Sequence, residues 1–273
     1  MRAGIEPFGP LHLPGFLTAA KAEGWVSDPW EFEFLLKSFP EGCWVVLHED
    51  TVAGFITAAK HDKSGWIGNL LVRKEVRGRG LGRALFERAL DSLEQAGAGT
   101  VWLTASSDGE PLYRKLGFTA VDRIIRWRGK PGTLATIPSR SREYSLRSIE
   151  ETDRMGWGDR RGKLLSAVAE RGMVVQYADG FCMLQPAEES VQLGPWGCRR
   201  TEIAESLLAQ ALAAVSPSTE VVLDAPESNH HAATLLAAHD FASCGANTLM
   251  YRGSRPDFRP ERIFALASMG SSG

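Results

Sequence analysis

The stretch NLLVRKEVRGRGLG, residues 69–82, runs from an apolar strand through a basic turn into a glycine-rich helix start. Leu70, Leu71 and Val72 supply the strand, and Gly78, Gly80 and Gly82 alternate with Arg77, Arg79 and Leu81. Glycines allow turns closed to other residues and let a ligand approach the backbone. The first N–H groups of a helix have no internal partner and lie at its positive end, so together they bind phosphate. Arg73, Lys74, Arg77, Arg79 and Arg83 crowd this junction, and Glu75 is the acid among them. The expected ligand is therefore polyanionic, and a pyrophosphate fits. A P-loop is excluded because no GlyLysSer or GlyLysThr occurs. A dinucleotide fingerprint GxGxxG fails in both frames, which end at Arg83 and at Leu85 instead of glycine.

Working outward, residues 80–96 are predicted as a helix, with Leu81, Leu85, Ala89 and Leu93 recurring every four and Gly97 ending it. Upstream, helices are expected near 10–22 and 29–37, the second opened by Ser27-Asp28-Pro29. Residues 43–48 and 52–60 read as a hairpin, and 65–72 as a third strand. Downstream come a strand at 100–105, a short helix at 111–116 and a strand reaching Trp127. Residues 129–142 are rich in Gly, Pro, Ser and Thr and read as a linker. Beyond it the same rhythm resumes: a strand at 144–149, a helix at 163–171, and a hairpin across Asp179-Gly180. Then follow a strand at 191–193, a helix at 201–215, a strand at 220–224, a helix at 229–239 and a strand ending at Tyr251. ALFERAL at 84–90 matches SLLAQAL at 206–212, LGF at 116–118 matches HDF at 239–241, and WRG at 127–129 matches YRG at 251–253. Three matches at nearly one offset, in the right order, suggest two copies of one domain.

The 273 residues accommodate two domains, with 44% hydrophobic and 23% charged residues in the ordinary globular range. The formal charge of −2 excludes a globally basic nucleic-acid binder. Cys43, Cys182, Cys198 and Cys244 are scattered without metal spacing and read as reduced thiols of a cytoplasmic protein. No apolar run approaches a membrane span, and the N-terminal residues lack the apolar core of a signal peptide.

The pattern Arg77-x-x-Gly80-x-Gly82 after a strand resembles the acyl-CoA loop of the GCN5-related N-acetyltransferase (GNAT) superfamily. LYRKLGF at 112–118 is similar to the family's LY-x-x-x-GF signature, and it falls after the strand that follows the loop helix. The resemblance covers roughly residues 1–130. LGPW at 193–196 and RIFALAS at 262–268 resemble a bacterial subgroup with a degenerate second half of the same type. The fold implied is α+β, two tandem GNAT-like domains, each a mixed, mostly antiparallel sheet flanked by helices. The expected division is a catalytic domain at 1–130, a linker at 131–142, a degenerate domain at 143–268 and a flexible tail at 269–273. The resemblance implies acetyl-CoA as cosubstrate, no metal, and direct attack by a small amine or peptide amine in a ternary complex. It implies no nucleic-acid or membrane partner, and the chain is expected as a monomer or homodimer.

Residue by residue, the resemblance implies that Leu70, Leu71 and Val72 form the strand edge facing the pantetheine arm and polarise the acyl carbonyl. Arg77, Gly78, Arg79, Gly80, Leu81 and Gly82 would cradle the pyrophosphate, with Arg83 adding charge. Tyr113 would protonate the leaving thiolate. Ser106 stands where the family often has an Asn against the cofactor. Glu31, Glu33, Asp108 and Glu110 are alternative general bases, and a water chain is another. The acids Glu23, Asp28, Glu31 and Glu33 would suit a cationic acceptor or a solvated helix face equally. At the repeat offset, Gly80 becomes Glu202, Gly82 becomes Ala204, Tyr113 becomes Leu236 and Ser106 becomes Asn229. The second half is therefore expected to bind no acyl-CoA and to form a wall of the acceptor site or support the first half. The alternative function is a non-catalytic acyl-CoA sensor.

Overall fold

The structure, a computed structural model, describes residues 4–25, 27–131, 143–187, 189–268 and 270–273. The chain forms two compact units that interleave in sequence. The first runs to Leu103 and takes in Arg252–Ser254 and Gly270–Ser272; the second holds Thr104–Tyr251 and Arg255–Met269. These units are cut differently from the segments 1–130 and 143–268. The linker expected at 131–142 lies, from 132 onward, outside the described residues.

The first unit contains β1 (Gly4–Pro7), α1 (Leu13–Ala22), α2 (Pro29–Ser38), β2 (Trp44–His48), β3 (Thr51–Lys60), β4 (Ser64–Val72), α3 (Leu81–Gln95) and most of β5 (Thr100–Ala105). Its strands lie in that order, antiparallel except for the parallel β4–β5 pair. The Asp28 carboxylate accepts from the Trp30 N–H and opens α2, as the Ser-Asp-Pro signal predicts. All four apolar positions predicted on α3 are buried, joined by Phe86 and Leu90. The sheet is covered on both faces. Leu85 of α3 comes within 3.1 Å of where a Cβ on Gly54 would stand. The next residue, Phe55, points the other way into α1, with its ring 5.4 Å from Phe16. Phe16 in turn lies 4.4 Å from Phe32 of α2, an aromatic core that anchors both helices.

The second unit contains α4 (Glu110–Lys115), β6 (Thr119–Gly129), α5 (Leu146–Trp157), α6 (Gly162–Arg171), β7 (Met173–Tyr177), β8 (Gly180–Pro186), β9 (Ser190–Cys198), α7 (Ala204–Ala213), β10 (Glu220–Pro226), α8 (His230–Ala238), β11 (Ala242–Gly253) and β12 (Ile263–Ala265). Its strand order is β11-β6-β10-β9-β8-β7, with β12 on β9. Among the described residues of this unit only β9–β10 is parallel, the counterpart of β4–β5 in the first unit. Strand β6, read from sequence as the last of the first domain, pairs on one edge with β10 and on the other with β11, both from the second half.

Three sequence expectations are corrected. Residues 144–149 begin a helix, not a strand: the Ser145 hydroxyl accepts from the Ser148 N–H as N-cap, and Ile149, Thr152, Asp153, Gly156 and Trp157 form a buried helical face. Strands β1 and β12 went unread because each is short and lacks alternation. The tail expected to be loose is packed: Ser271 and Ser272 are 6% and 2% exposed. The Trp66 indole N–H donates to the Gly270 carbonyl at 3.1 Å. A Cβ on Gly68 would stand 2.6 Å from Ser271 Cα, so glycine in β4 and small tail residues permit this approach together. Among the described residues no helix is long and apolar enough to cross a membrane.

Candidate functional site

Strand β4 does not follow β5 along its whole length. The parallel ladder joins Ser64–Trp66 to Thr100–Trp102 and stops there. Against β3, Phe55 faces Leu71 and Thr57 faces Gly68, so Asn69 and Leu70 together oppose Ile56. That is a β-bulge, which bends and re-aims the strand. Asn69 sits in it at φ 55°, a left-handed conformation that asparagine tolerates better than most residues. Its amide donates to the Thr57 hydroxyl and to the Glu31 carboxylate, each at 3.0 Å. The ladder to β5 thus ends at Trp66, and the bulge re-aims β4 just before Leu70, Leu71 and Val72.

After β4, a short 3-10 turn (Lys74–Val76) leads to α3. Gly80 caps the helix at φ 79°, with no side chain capping the first turn, and Gly78 lies at φ 77°. Nothing stands within 4 Å of a Cβ built at either glycine. Uncapped N–H groups at the positive end of a fifteen-residue helix, reached across open glycines, form an anion cradle. This geometry fits a pyrophosphate.

The side chains around the cradle differ from their expected disposition. Arg77 donates to the Val72 carbonyl at 2.9 Å and to Glu23 at 2.7 Å, so it ties the end of β4 to the end of α1. Lys74 lies 3.6 Å from the same Glu23. Arg83 pairs with Glu87, and Arg73 with Glu75. Arg79 Nη1 lies 2.9 Å from His48 Nε2, a contact that requires that ring nitrogen to be unprotonated. The sequence counted Glu75 alone because Glu23 arrives from the end of α1 and Glu87 lies one turn further along α3.

Ser106 and Tyr113 belong to the second unit and lie near each other. The Ser106 hydroxyl accepts from the Gly109 N–H at 3.2 Å, in the turn that opens α4. A Tyr113 ring carbon lies 3.1 Å from where a Gly109 Cβ would stand, and the ring centroid is 6.2 Å from that of Phe118. Tyr113 is half-buried by surface area, and burial pushes its phenol up to about 12. Glu110 is committed elsewhere: the Thr248 hydroxyl and then Arg114 hold its carboxyl below the usual carboxylate range.

The second half differs at the corresponding positions. The helix equivalent to α3, α7, begins at Ala204 after Ile203 in right-handed conformation, without glycine. Glu202 pairs with Arg200, Leu236 is fully buried, and Asn229 caps α8 while donating to the Ile263 carbonyl. Burial raises the thiols of Cys43 and Cys198 to about 12, which leaves them inert. Among the described residues no cluster of three or more His, Cys, Asp or Glu could hold a metal ion. Asn69 and Thr57 were missed from sequence, where the available signal was an asparagine inside an apolar strand; Glu23, read there as an acid for a cationic acceptor or a solvated face, instead pairs with Arg77.

Residues 14–118 match the profile of the acetyltransferase (GNAT) family, and residues 149–265 match that of a GNAT acetyltransferase domain. The chain is 25% identical over 261 residues to the holothin acyltransferase of Pseudoalteromonas sp. (strain SANK 73390), covering 92% of this chain and 88% of that one. It is 27% identical over 129 residues to the N-alpha-acetyltransferase MAK3 of Arabidopsis thaliana, covering 44% and 67%. A solved structure from Pyrococcus horikoshii superposes with a TM-score of 0.83 at 22% identity, covering 99% and 96%. A GCN5-related N-acetyltransferase from Sphaerobacter thermophilus does so at 0.66 and 16% identity, covering 98% of each chain.

Proposed function

Because the chain belongs to the GNAT superfamily in both of its halves, we propose that its first half moves an acetyl group from acetyl-CoA to an amine, and that its second half binds no acyl-CoA. The observation that carries this reading is the left-handed Gly80 opening an uncapped α3 beside a strand that has left its neighbour.

Acetyl-CoA, when bound, supplies a thioester whose carbonyl carbon accepts the amine nitrogen and whose sulfur leaves. The first-turn N–H groups of α3 hold the pyrophosphate, with Gly78, Gly80 and Gly82 admitting it and Arg79 and Arg83 adding charge. Arg77 serves by pinning β4 through Val72 and Glu23. The edge at Leu70–Val72 presents fixed donors to the acyl oxygen, where they gain strength as charge develops. Tyr113, whose phenol stays protonated far above neutral pH, gives its proton to the departing sulfur. Ser106 acts through the turn before α4. The holothin acyltransferase aligns across both halves and the N-alpha-acetyltransferase across one, and the acceptor is a small amine or a peptide amine.

Calorimetric titration with acetyl-CoA tests the reading. One site per chain is expected, and it should be lost in Gly80→Glu, which places a carboxylate in the cradle at a strained φ. Two sites would overturn the assignment of the second half, and no binding would overturn the whole proposal. Binding without thiol release across an amine panel would leave a sensor.

A further inference from the structure

We infer that Glu31 on α2 receives the acceptor as a primary ammonium and takes its proton; this rests on the proposed acetyl transfer. The geometry singles it out from the other acids. Glu31 Oε1 accepts from Asn69 Nδ2 at 3.0 Å, and Asn69 directly precedes the backbone edge at Leu70–Val72. The same amide donates to Thr57, whose hydroxyl donates to the Gly68 carbonyl. The carboxylate is thus held at the bulge by a chain fixed to two strands. It also lies on the face opposite α3: Thr57 shares the parity of Phe55, which points at α1, whereas Gly54 meets Leu85. An acceptor can therefore approach from the α2 face while the cradle holds the cosubstrate from the α3 end.

The rival acids are otherwise placed. Glu23 is bound to Arg77 and lies near Lys74. Asp28 caps α2. Glu33, two residues along the helix from Glu31, is exposed on another side. Glu110 is held by Thr248 and Arg114. Asp108 is exposed in the turn before α4.

The balance closes without another reactant. Glu31 takes one proton from the ammonium and later releases it to water. The nitrogen forms the N–C bond as the C–S bond breaks, and the sulfur receives the Tyr113 proton. The second nitrogen proton passes to water, and water restores the proton that the sulfur took.

The test compares wild type, Glu31→Gln and Glu31→Asp with a panel of n-propylamine, spermidine and a tripeptide with a free N-terminus. Thiol release measures transfer, and calorimetry on acetyl-CoA-saturated protein measures acceptor binding. Glu31→Gln should lose about 10²–10⁴-fold in kcat/KM for the acceptor. Its acetyl-CoA affinity and melting temperature should match wild type, and Glu31→Asp should recover part of the loss. Retention of full kcat/KM in Glu31→Gln would overturn the assignment. So would wild type that binds acetyl-CoA but neither binds nor acetylates any amine in the panel. Loss of acetyl-CoA binding in the wild type would instead sink the underlying function.

Discussion

Tyr113 shows how one enclosed hydroxyl sets a pH range. Desolvation opposes the phenolate, so the phenol rises from about 10 to about 12. The folded chain therefore holds this proton more tightly than the unfolded chain does. The resulting stability is fully present below pH ~10 and disappears as pH rises through about 12. As proton donor, Tyr113 should impose no fall in rate near pH 10. The phenolate absorbance of wild type minus Tyr113→Phe should show its midpoint close to 12, and a midpoint near 10 would refute the burial argument. Tyr113→Phe should lower kcat by about 10²–10⁴-fold with acetyl-CoA affinity intact. At this scale the sequence announced backbone requirements better than side-chain partners. Gly80 reads as a left-handed cap because few other residues suit that place. Arg77 looks like a phosphate ligand in sequence because Glu23, its actual partner, lies 54 positions away.

Strand β6 owes its place to charge as well as to apolar packing. Arg123, Arg126 and Arg128 reach Glu227, Asp224 and Glu220 around β10. Only the middle pair is shielded: both Arg126 bonds are 2.8 Å, and the Asp224 side chain is 3% exposed against 27% for Arg126. Removing Arg126 strands a buried carboxylate, at a cost of about 3–5 kcal/mol. Removing Asp224 leaves a guanidinium that still reaches water, and about 1–3 kcal/mol is expected. Arg123→Ala, in an exposed pair, should change stability by less than ~1 kcal/mol. Urea melts of the three variants check this order, and equal losses for Arg126→Ala and Asp224→Ala would contradict it. The partners of β6 were invisible in sequence because alternation identifies a strand but not its neighbours. Residues 144–149 failed for a related reason. A short alternating run fits strand and helix alike, and the Ser145 cap with the buried face through Trp157 decides for helix.

Duplication is the feature of the whole molecule most legible in sequence, since ALFERAL and SLLAQAL, LGF and HDF, and WRG and YRG recur at nearly one offset, and both halves match acetyltransferase (GNAT) models. Among the described residues both copies keep one parallel pair in an otherwise antiparallel sheet, while α3 opens on a left-handed glycine and its counterpart α7 opens on Ile203. The repeat nevertheless misleads about where the chain can be cut. A break after residue 130 would strip β6 of β10 and β11 together and leave it two open edges. The same break would take Ser254 from the first unit, whose N–H donates to the Gly99 carbonyl and whose carbonyl accepts from Thr100. It would also take Gly270 and Ser271 from Trp66 and Gly68 on β4. The fragment 1–130 should therefore aggregate, or melt without a cooperative transition, and should bind acetyl-CoA far more weakly than the full chain. Co-expression with 143–273 should restore both properties, because that piece carries every strand and tail residue the fragment lacks. Circular dichroism melts and calorimetry on the two preparations decide the matter. A fragment 1–130 that melts cooperatively and binds acetyl-CoA like the full chain would mean that these later residues merely decorate a self-sufficient first half.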